Sequence, residues 1–343
     1  METRLSKFVL DFPGRLALPI ASFAGLEITG ESVEDLFSIP GSQFKSVMGL
    51  ADRYRMPVLV TAIDPTAEAE AYGCEVAFPD REVPRVVGRL VTSAAEAAGL
   101  PDPVPGDART RVPIETAWRL TAEVGESVPV LGAMLGPFAL AARLYGVEEA
   151  LAAAAGEPET VETLLDNVTG FLCRYALEFR ETGAWGVLVA EDVAGRLTPD
   201  GLGRFSAPFI KRIVKAVETA DFAVIVQDGR VANAHLDALL GCGAGAYWLG
   251  PGVDMGAALG RVEPGTVLAG NIDPVTVFQK GAAQAVSEAT RALLEATSGA
   301  RSVIISSGGD IPPGAPLANL NAFYRAVDSE AGADPKKAPG RDL

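Results

Sequence analysis

Short apolar, β-branched runs alternate with longer amphipathic segments along most of the chain. Eight such runs stand out, at residues 16–22, 57–63, 128–134, 186–190, 223–227, 246–249, 266–269 and 302–306. Near-continuous apolarity over so few residues predicts strands buried on both faces, as in a parallel sheet. Helical patterns separate them, clearest at 158–182, 203–220, 231–240, 282–297 and 317–327. Thr198-Pro199 and Asp273-Pro274 are helix starts, each a capping side chain ahead of a proline that has no N–H to leave unpaired.

Strand and helix in alternation predict an α/β fold, and eight strands with covering helices is the count of a single (β/α)8 TIM barrel. A doubly wound sheet would call for a GxGxxG turn, which is absent. The pattern is broken longest after strand 2, at 65–126, where a hairpin (74–87), a helix (87–98) and the loop PDPVPGD are expected. A connection of that length on a barrel usually serves the active-site mouth. Residues 1–330 are expected to form the barrel and 331–343, polar with Pro, Gly and Lys, a disordered tail.

Composition narrows the function classes. The 343 residues are 48% hydrophobic and 21% charged, a balance suited to a packed globular enzyme. A net charge of −15 argues against nucleic acid and against an anionic membrane surface as partners. The three cysteines, Cys74, Cys173 and Cys242, form no CxxC pair or disulfide framework. With no signal-like or membrane-spanning apolar run, a cytoplasmic location is expected.

Candidate chemistry lies at the C-terminal strand ends, where such barrels place their catalytic groups. Asp64 follows the second run, Glu191-Asp192 the fourth, Asp228 the fifth, Asn271 and Asp273 the seventh, and Ser306, Ser307 and Asp310 close the eighth. Each alone has a plain structural explanation as a cap for the next helix. Together they are expected to converge on one pocket, where crowded carboxylates raise one another's pKa. Asp64, Asp228, Glu191 and Asp192 are therefore the candidate catalytic groups; Asn271, Ser306, Ser307, Asp310 and Ser22 are the candidate substrate-binding groups. The single histidine, His235, falls in the helix after the fifth run, which excludes Ser-His-Asp and HExxH chemistry.

Four motifs carry a family resemblance: AIDPTAEAEAYGCEV (62–76), LGPFALAARLYG (135–146), LAGNIDP (268–274) and SSGGDIPPGAPLANLNAFYRAV (306–327). In that order they resemble the uroporphyrinogen decarboxylase superfamily over roughly 16–328. The decarboxylases carry an RQAGR motif after the first strand and a histidine in the last strand-end loop. Here the matching positions read Ser22-Phe23-Ala24-Gly25-Leu26 and Gly309, although Asp64 matches the family's catalytic aspartate. A polycarboxylate approaching an acidic rim without those arginines is electrostatically disfavoured.

The stretches AEAEAYGCEV and GGDIPPGAPLAN look closer to the corrinoid-dependent methyltransferases of the superfamily. Thiol-methylating members bind zinc through His-x-Cys after the fifth strand and a cysteine in the last loop; here Val226-Gln227-Asp228 and Gly309 stand in those places. Zinc-activated thiolate chemistry loses its basis, and no metal site is expected. The resemblance implies a methyltransferase acting with a corrinoid protein on a small donor or acceptor, such as tetrahydrofolate or a methoxy or methylamine compound. The alternatives are a decarboxylase, or a barrel that binds a corrinoid, pterin or tetrapyrrole without catalysis. An oxygen-ligand metal site from Glu191, Asp228 and Asp310 is a lesser option.

Overall fold

A computed structural model describes residues 2–330, so the tail expected at 331–343 lies outside the described residues. Ten strands form among them: β1 (Leu16–Ala17), β2 (Leu59–Val60), β3 (Glu75–Ala77), β4 (Arg85–Val87), β5 (Val130–Leu135), β6 (Gly186–Ala190), β7 (Ala223–Asp228), β8 (Ala246–Leu249), β9 (Val267–Ile272) and β10 (Val303–Ser307). Eight build one parallel sheet in the order β1-β10-β9-β8-β7-β6-β5-β2. Each falls on one of the eight apolar runs, with ends shifted by a few residues at most positions and the first two strands much shortened.

The sheet is curled, and its two faces are distinct in composition. Leu16, Val58, Leu131, Leu188, Ile225, Trp248, Val267 and Ile304, one from each strand or its immediate flank, pack into a single apolar cluster. That cluster fills the concave side of the curled sheet, its lumen. Val187, Val189, Val224, Val226, Leu268 and Ile305 belong to the larger core under the helices. Alternation along each strand thus assigns every side chain to lumen or outer layer.

Between β1 and β2 the ladder is open. Just beyond these strands Ser22 Oγ accepts the Ile63 N–H at 3.1 Å, and a cavity of about 30 Å³ lies alongside, lined in part by Ile20, Val47, Leu50 and Thr61. At the opposite end the helix Arg4–Asp11 plugs the lumen with Leu5 and Val9. Thr3 and Ser6 form its capping box, and Arg4 lies 3.8 Å over the ring of Trp185.

The expected helix at 203–220 is two helices, Pro199–Phe205 and Ala207–Val217, broken at Ser206. The break lets the buried Ser206 hydroxyl reach Glu191. Between β2 and β5 the chain forms the antiparallel pair β3–β4, the helix Ala94–Ala98 and the helix Arg111–Val124. No helix among the described residues is long and apolar enough to cross a membrane.

Candidate active site

At the end of β2 the chain turns sharply, and Asp64 closes that turn on itself. Its Oδ1 accepts both the N–H and the hydroxyl of Thr66 at 2.8 Å. Its Oδ2 meets the guanidinium of Arg109, which arrives from just before the helix Arg111–Val124. Arg109 also donates to Thr66 Oγ1 at 2.8 Å. Its Nε lies 2.8 Å from Glu70 Oε2 and its main-chain N–H donates to the same oxygen at 3.2 Å. The Nε contact is an ion pair by distance but is too poorly aligned for a hydrogen bond. Phe78 covers the guanidinium at 4.7 Å. Burial pushes the Asp64 carboxyl up, while Arg109 and the Thr66 donors oppose that shift.

Glu68, one turn further, is almost wholly buried. Its Oε1 accepts the Leu135 N–H at 2.8 Å and its Oε2 has no partner. Burial pushes its carboxyl up to about 8, so it carries a proton near neutrality. Arg109, Glu68 and Glu70 were not singled out by the sequence pattern. Arg109 is remote from any strand end and 45 residues from Asp64. No local signal pairs the two.

The carboxylates of β6 and β7 behave differently. Glu191 caps the helix Pro137–Tyr145: Oε1 accepts from Phe138 N–H and Ser206 Oγ, both at 2.9 Å, and Oε2 from Ala139 N–H at 2.7 Å. Burial nevertheless pushes it up to about 7. Asp228 is fully buried; Oδ1 accepts the Arg230 N–H at 2.8 Å and Oδ2 has no partner. Burial holds its carboxyl well above the usual range, with Glu191 and Asp192 adding to the effect.

Pleat parity explains this arrangement. Ala190 and Ile225 belong to the lumen cluster, so Glu191 and Asp228, one and three residues on, point to the outer layer. A Cβ on Gly195, in the loop over that layer, would meet Asp228 Oδ1 at 2.8 Å. Asp192 is half-exposed and pairs through Oδ2 with Arg143 at 2.9 Å. The carboxylates expected in one acidic pocket fall into two groups, Asp64 with Arg109, and Glu191, Asp192 and Asp228 beside Arg143; Arg143 links them, since its Nε donates to Pro65 O at 3.3 Å next to Asp64. Nor do Glu191, Asp228 and Asp310 gather as metal ligands. Among the described residues no group of three His, Cys, Asp or Glu side chains is arranged to hold a metal.

The substrate-binding candidates also divide. Ser306 Oγ donates to Leu18 O at 2.6 Å, and Ser307 Oγ accepts the Ile20 N–H at 3.0 Å. Both hydroxyls tie β10 to the chain of β1 and are fully buried, which corrects their assignment to substrate. Asp310 accepts the Ser22 N–H at 2.9 Å, and burial pushes it up to about 6. Ser22 and Asp310 thereby join the ends of β1, β2 and β10. Asn271, partly exposed, donates through Nδ2 to Gly250 O (3.1 Å) and Val253 O (2.6 Å). Its Oδ1 stays available as an acceptor. Asp273 caps the turn that follows, accepting from Val275 and Thr276 N–H at 2.8 Å.

One lumen-facing residue was passed over. Gln227 pairs in register with Ala190 and Trp248, both in the lumen cluster, and lies two residues after Ile225. Its side chain therefore faces the axis. Alternation along 223–227 places Gln227 on the face of Ile225, but the run is apolar on both faces and only the structure shows which one is the lumen. His235 has a packing role: Nδ1 accepts the Ala232 N–H at 3.2 Å and Nε2 donates to Leu197 O at 3.0 Å.

Against this geometry the comparisons with known proteins are consistent in fold. Residues 21–330 match the model of the uroporphyrinogen decarboxylase (URO-D) family. A methylcobamide:CoM methyltransferase MtbA of Methanosarcina acetivorans is 28% identical over 77% of this chain and 77% of its own length. A uroporphyrinogen decarboxylase of Parasynechococcus marenigrum is 31% identical over 63% of this chain and 62% of its own. Among solved structures, a methyltransferase from Methanosarcina mazei superposes with a TM-score of 0.83 at 20% identity, covering 96% of this chain and 98% of that one.

Proposed function

Because the chain belongs to the uroporphyrinogen decarboxylase family, we propose that it is an enzyme of that family's methyl-transferring branch, moving a methyl group between a corrinoid carried by a partner protein and a small substrate. The observation that carries this reading is the match to two methylcobamide:CoM methyltransferases along 77% of both chains, against 55–66% of this chain for the decarboxylases compared. The sheet is read as a (β/α)8 barrel whose seam is closed by Ser22, and the segment 65–126 as the cover that brings Arg109 to the mouth.

Zinc does not fit the residues present. Gln227 and Asp228 offer an amide and a buried carboxyl where a tight zinc site uses imidazole and thiolate, and Gly309 offers no donor at all. In this reading the chain uses no metal of its own. The methylated corrinoid is a substrate brought by the partner.

In this reading Asp64 handles the proton of the attacking or leaving heteroatom. It keeps slight exposure beside a fixed cation, so its charge can change without leaving a bare buried anion. Arg109 and Thr66 position it. Gln227 and the free Oδ1 of Asn271 orient the small substrate, and holding it in line with the methyl group provides much of the rate. Glu191 and Asp228 act as structural groups that fix the strand ends.

Methylcobalamin demethylation, followed spectroscopically with thiol and reduced-folate acceptors, tests the proposal. Acceptor-dependent loss of the methylcobalamin spectrum is expected. Carbon dioxide release from uroporphyrinogen without a corrinoid would replace this reading with the decarboxylase.

A further inference from the structure

On the lumen side of β7, beyond the apolar cluster, lies an amide without a hydrogen-bond partner among the described residues. Gln227 is 4% exposed and no group among the described residues hydrogen-bonds its side chain, but its amide atoms are not fully enclosed, so the amide keeps a narrow opening to solvent. Buried amides are ordinarily paired, since an unmade hydrogen bond on a desolvated polar group is costly. Here the neighbours are backbone and glycine. A Cβ placed on Gly229 or Gly309 would come within 3.5 and 3.7 Å of Gln227 Nε2, so the missing side chains at those two positions leave room in front of the amide.

We infer that Gln227 is the specificity-determining residue of the mouth, its carboxamide receiving a lactam edge of the small substrate, a ring N–H beside a C=O. The inference rests on the methyl-transfer reading for the reaction. For the binding it rests on the geometry alone.

Three observations favour a neutral lactam over an anion. A carboxamide presents one acceptor and two donors, and its complement is another amide edge making two parallel hydrogen bonds. The lumen layer around it is uncharged: Ala190 and Trp248 flank it in register, and Glu191 and Asp228 are turned to the outer layer. An anionic carboxylate or sulfonate placed there would lose its water without gaining a cation, since Arg109 at the mouth is already paired with Asp64 and Glu70. Asn271, on the strand beyond β8, adds one acceptor, because its Nδ2 is already held by Gly250 and Val253 carbonyls. The indole of Trp248 adds no competing polar group, since its Nε1 donates to Ser307 O at 2.9 Å.

Calorimetric titration of the full chain under anaerobic conditions tests this, with 6-methyltetrahydropterin and its 3-methyl derivative as probes; the added methyl blocks the lactam nitrogen. The wild type is expected to bind the unblocked pterin about tenfold or more tightly than the blocked one, the loss of one well-made hydrogen bond. Gln227→Leu should weaken the unblocked pterin by a similar factor and erase the preference. Gly309→Val, which fills the space before the amide from another strand, should weaken both pterins while the unfolding transition stays close to wild type. No pterin binding by the wild type, equal affinity for the two probes, or a preference that survives Gln227→Leu would overturn the inference. The two readings fail separately. A lactam preference with no methylcobalamin demethylation under any acceptor removes the reaction and leaves the binding. Demethylation whose acceptor KM is unchanged in Gln227→Leu removes the binding and leaves the reaction.

Discussion

The ends of β2 and of β6–β7 carry carboxylates in similar sequence contexts, and burial raises the pKa of each, yet their partners differ. Asp64 shares its site with Arg109, Thr66 and Glu70 and keeps slight exposure. Glu191 and Asp228 are sealed from solvent; main-chain N–H groups bind both, and the Ser206 hydroxyl also binds Glu191. A carboxylate just past an apolar strand is therefore no guide to its role. What separates Asp64 from Glu191 and Asp228 is which layer the side chain enters and whether an arginine touches it; of the β6–β7 carboxylates only Asp192 has one, Arg143. In the proposed reaction the first region changes charge and the second holds backbone in place.

Substitutions sharpen that contrast. Asp64→Asn should lower methyl-transfer turnover by about 10²–10⁴, the range for losing a general acid or base. Its unfolding midpoint in urea should fall, because Arg109 loses one of its two carboxylates, while the chain stays folded through Glu70; unchanged turnover would take the chemistry away from this end. Glu191→Ala should act on the fold first, destabilising it by about 2–4 kcal/mol as the Phe138 and Ala139 N–H groups lose their acceptor. Thermal or urea unfolding reads this directly, and a stable but inactive variant would return Glu191 to the catalytic set.

The pH dependence follows from the same burial. Burial raises Glu191 to about 7 and Glu68 to about 8 in the folded chain. An unfolded glutamate titrates near about 4.3, so the folded state binds more protons between these values. Their contribution to stability is complete below the unfolded pKa and is lost as pH rises through the folded ones. The melting temperature should thus fall between about pH 5 and pH 8, and Glu191→Gln should flatten part of that slope. A flat wild-type profile, or a slope untouched by the substitution, would mean that Glu191 is ionised throughout.

The smallest effect is expected at Asp228→Asn. The amide keeps the shape and the acceptor for Arg230, so turnover should change by less than about threefold, with stability equal or higher above neutral pH. A loss of orders of magnitude would show that Asp228 enters the reaction after all, and the division between the two regions would collapse.

Much of the architecture was legible in the chain. The eight apolar runs marked the eight strands of the large sheet, and Thr198 and Asp273 start helical segments where their sequence context indicates, each capped by its own side chain. Candidate rim residues were found by proximity to strand ends, a criterion that is blind to direction. Alternation carries the direction: once Ile225 is known to face the lumen, Gln227 must follow it and Asp228 must not. That information was present in the pattern for β7, though it became usable only when the lumen face was known.

Other features had no local trace. Arg109 reaches Asp64 across 45 residues, Ser206 reaches Glu191 through a break between two helices, and Ser306 and Ser307 find the Leu18 carbonyl and the Ile20 amide, just past β1 and nearly the whole chain away. Periodicity reports what a segment buries, because burial repeats with the period of strand or helix. Which distant partner neutralises a buried charge depends on how the sheet curls and the loops return, and that is set only when the whole chain closes on itself. The sequence by itself thus determined the strands, their polarity pattern and the pool of ionisable groups. The tertiary structure alone decided which of those groups face a substrate, because facing and pairing are properties of packed layers rather than of neighbouring residues.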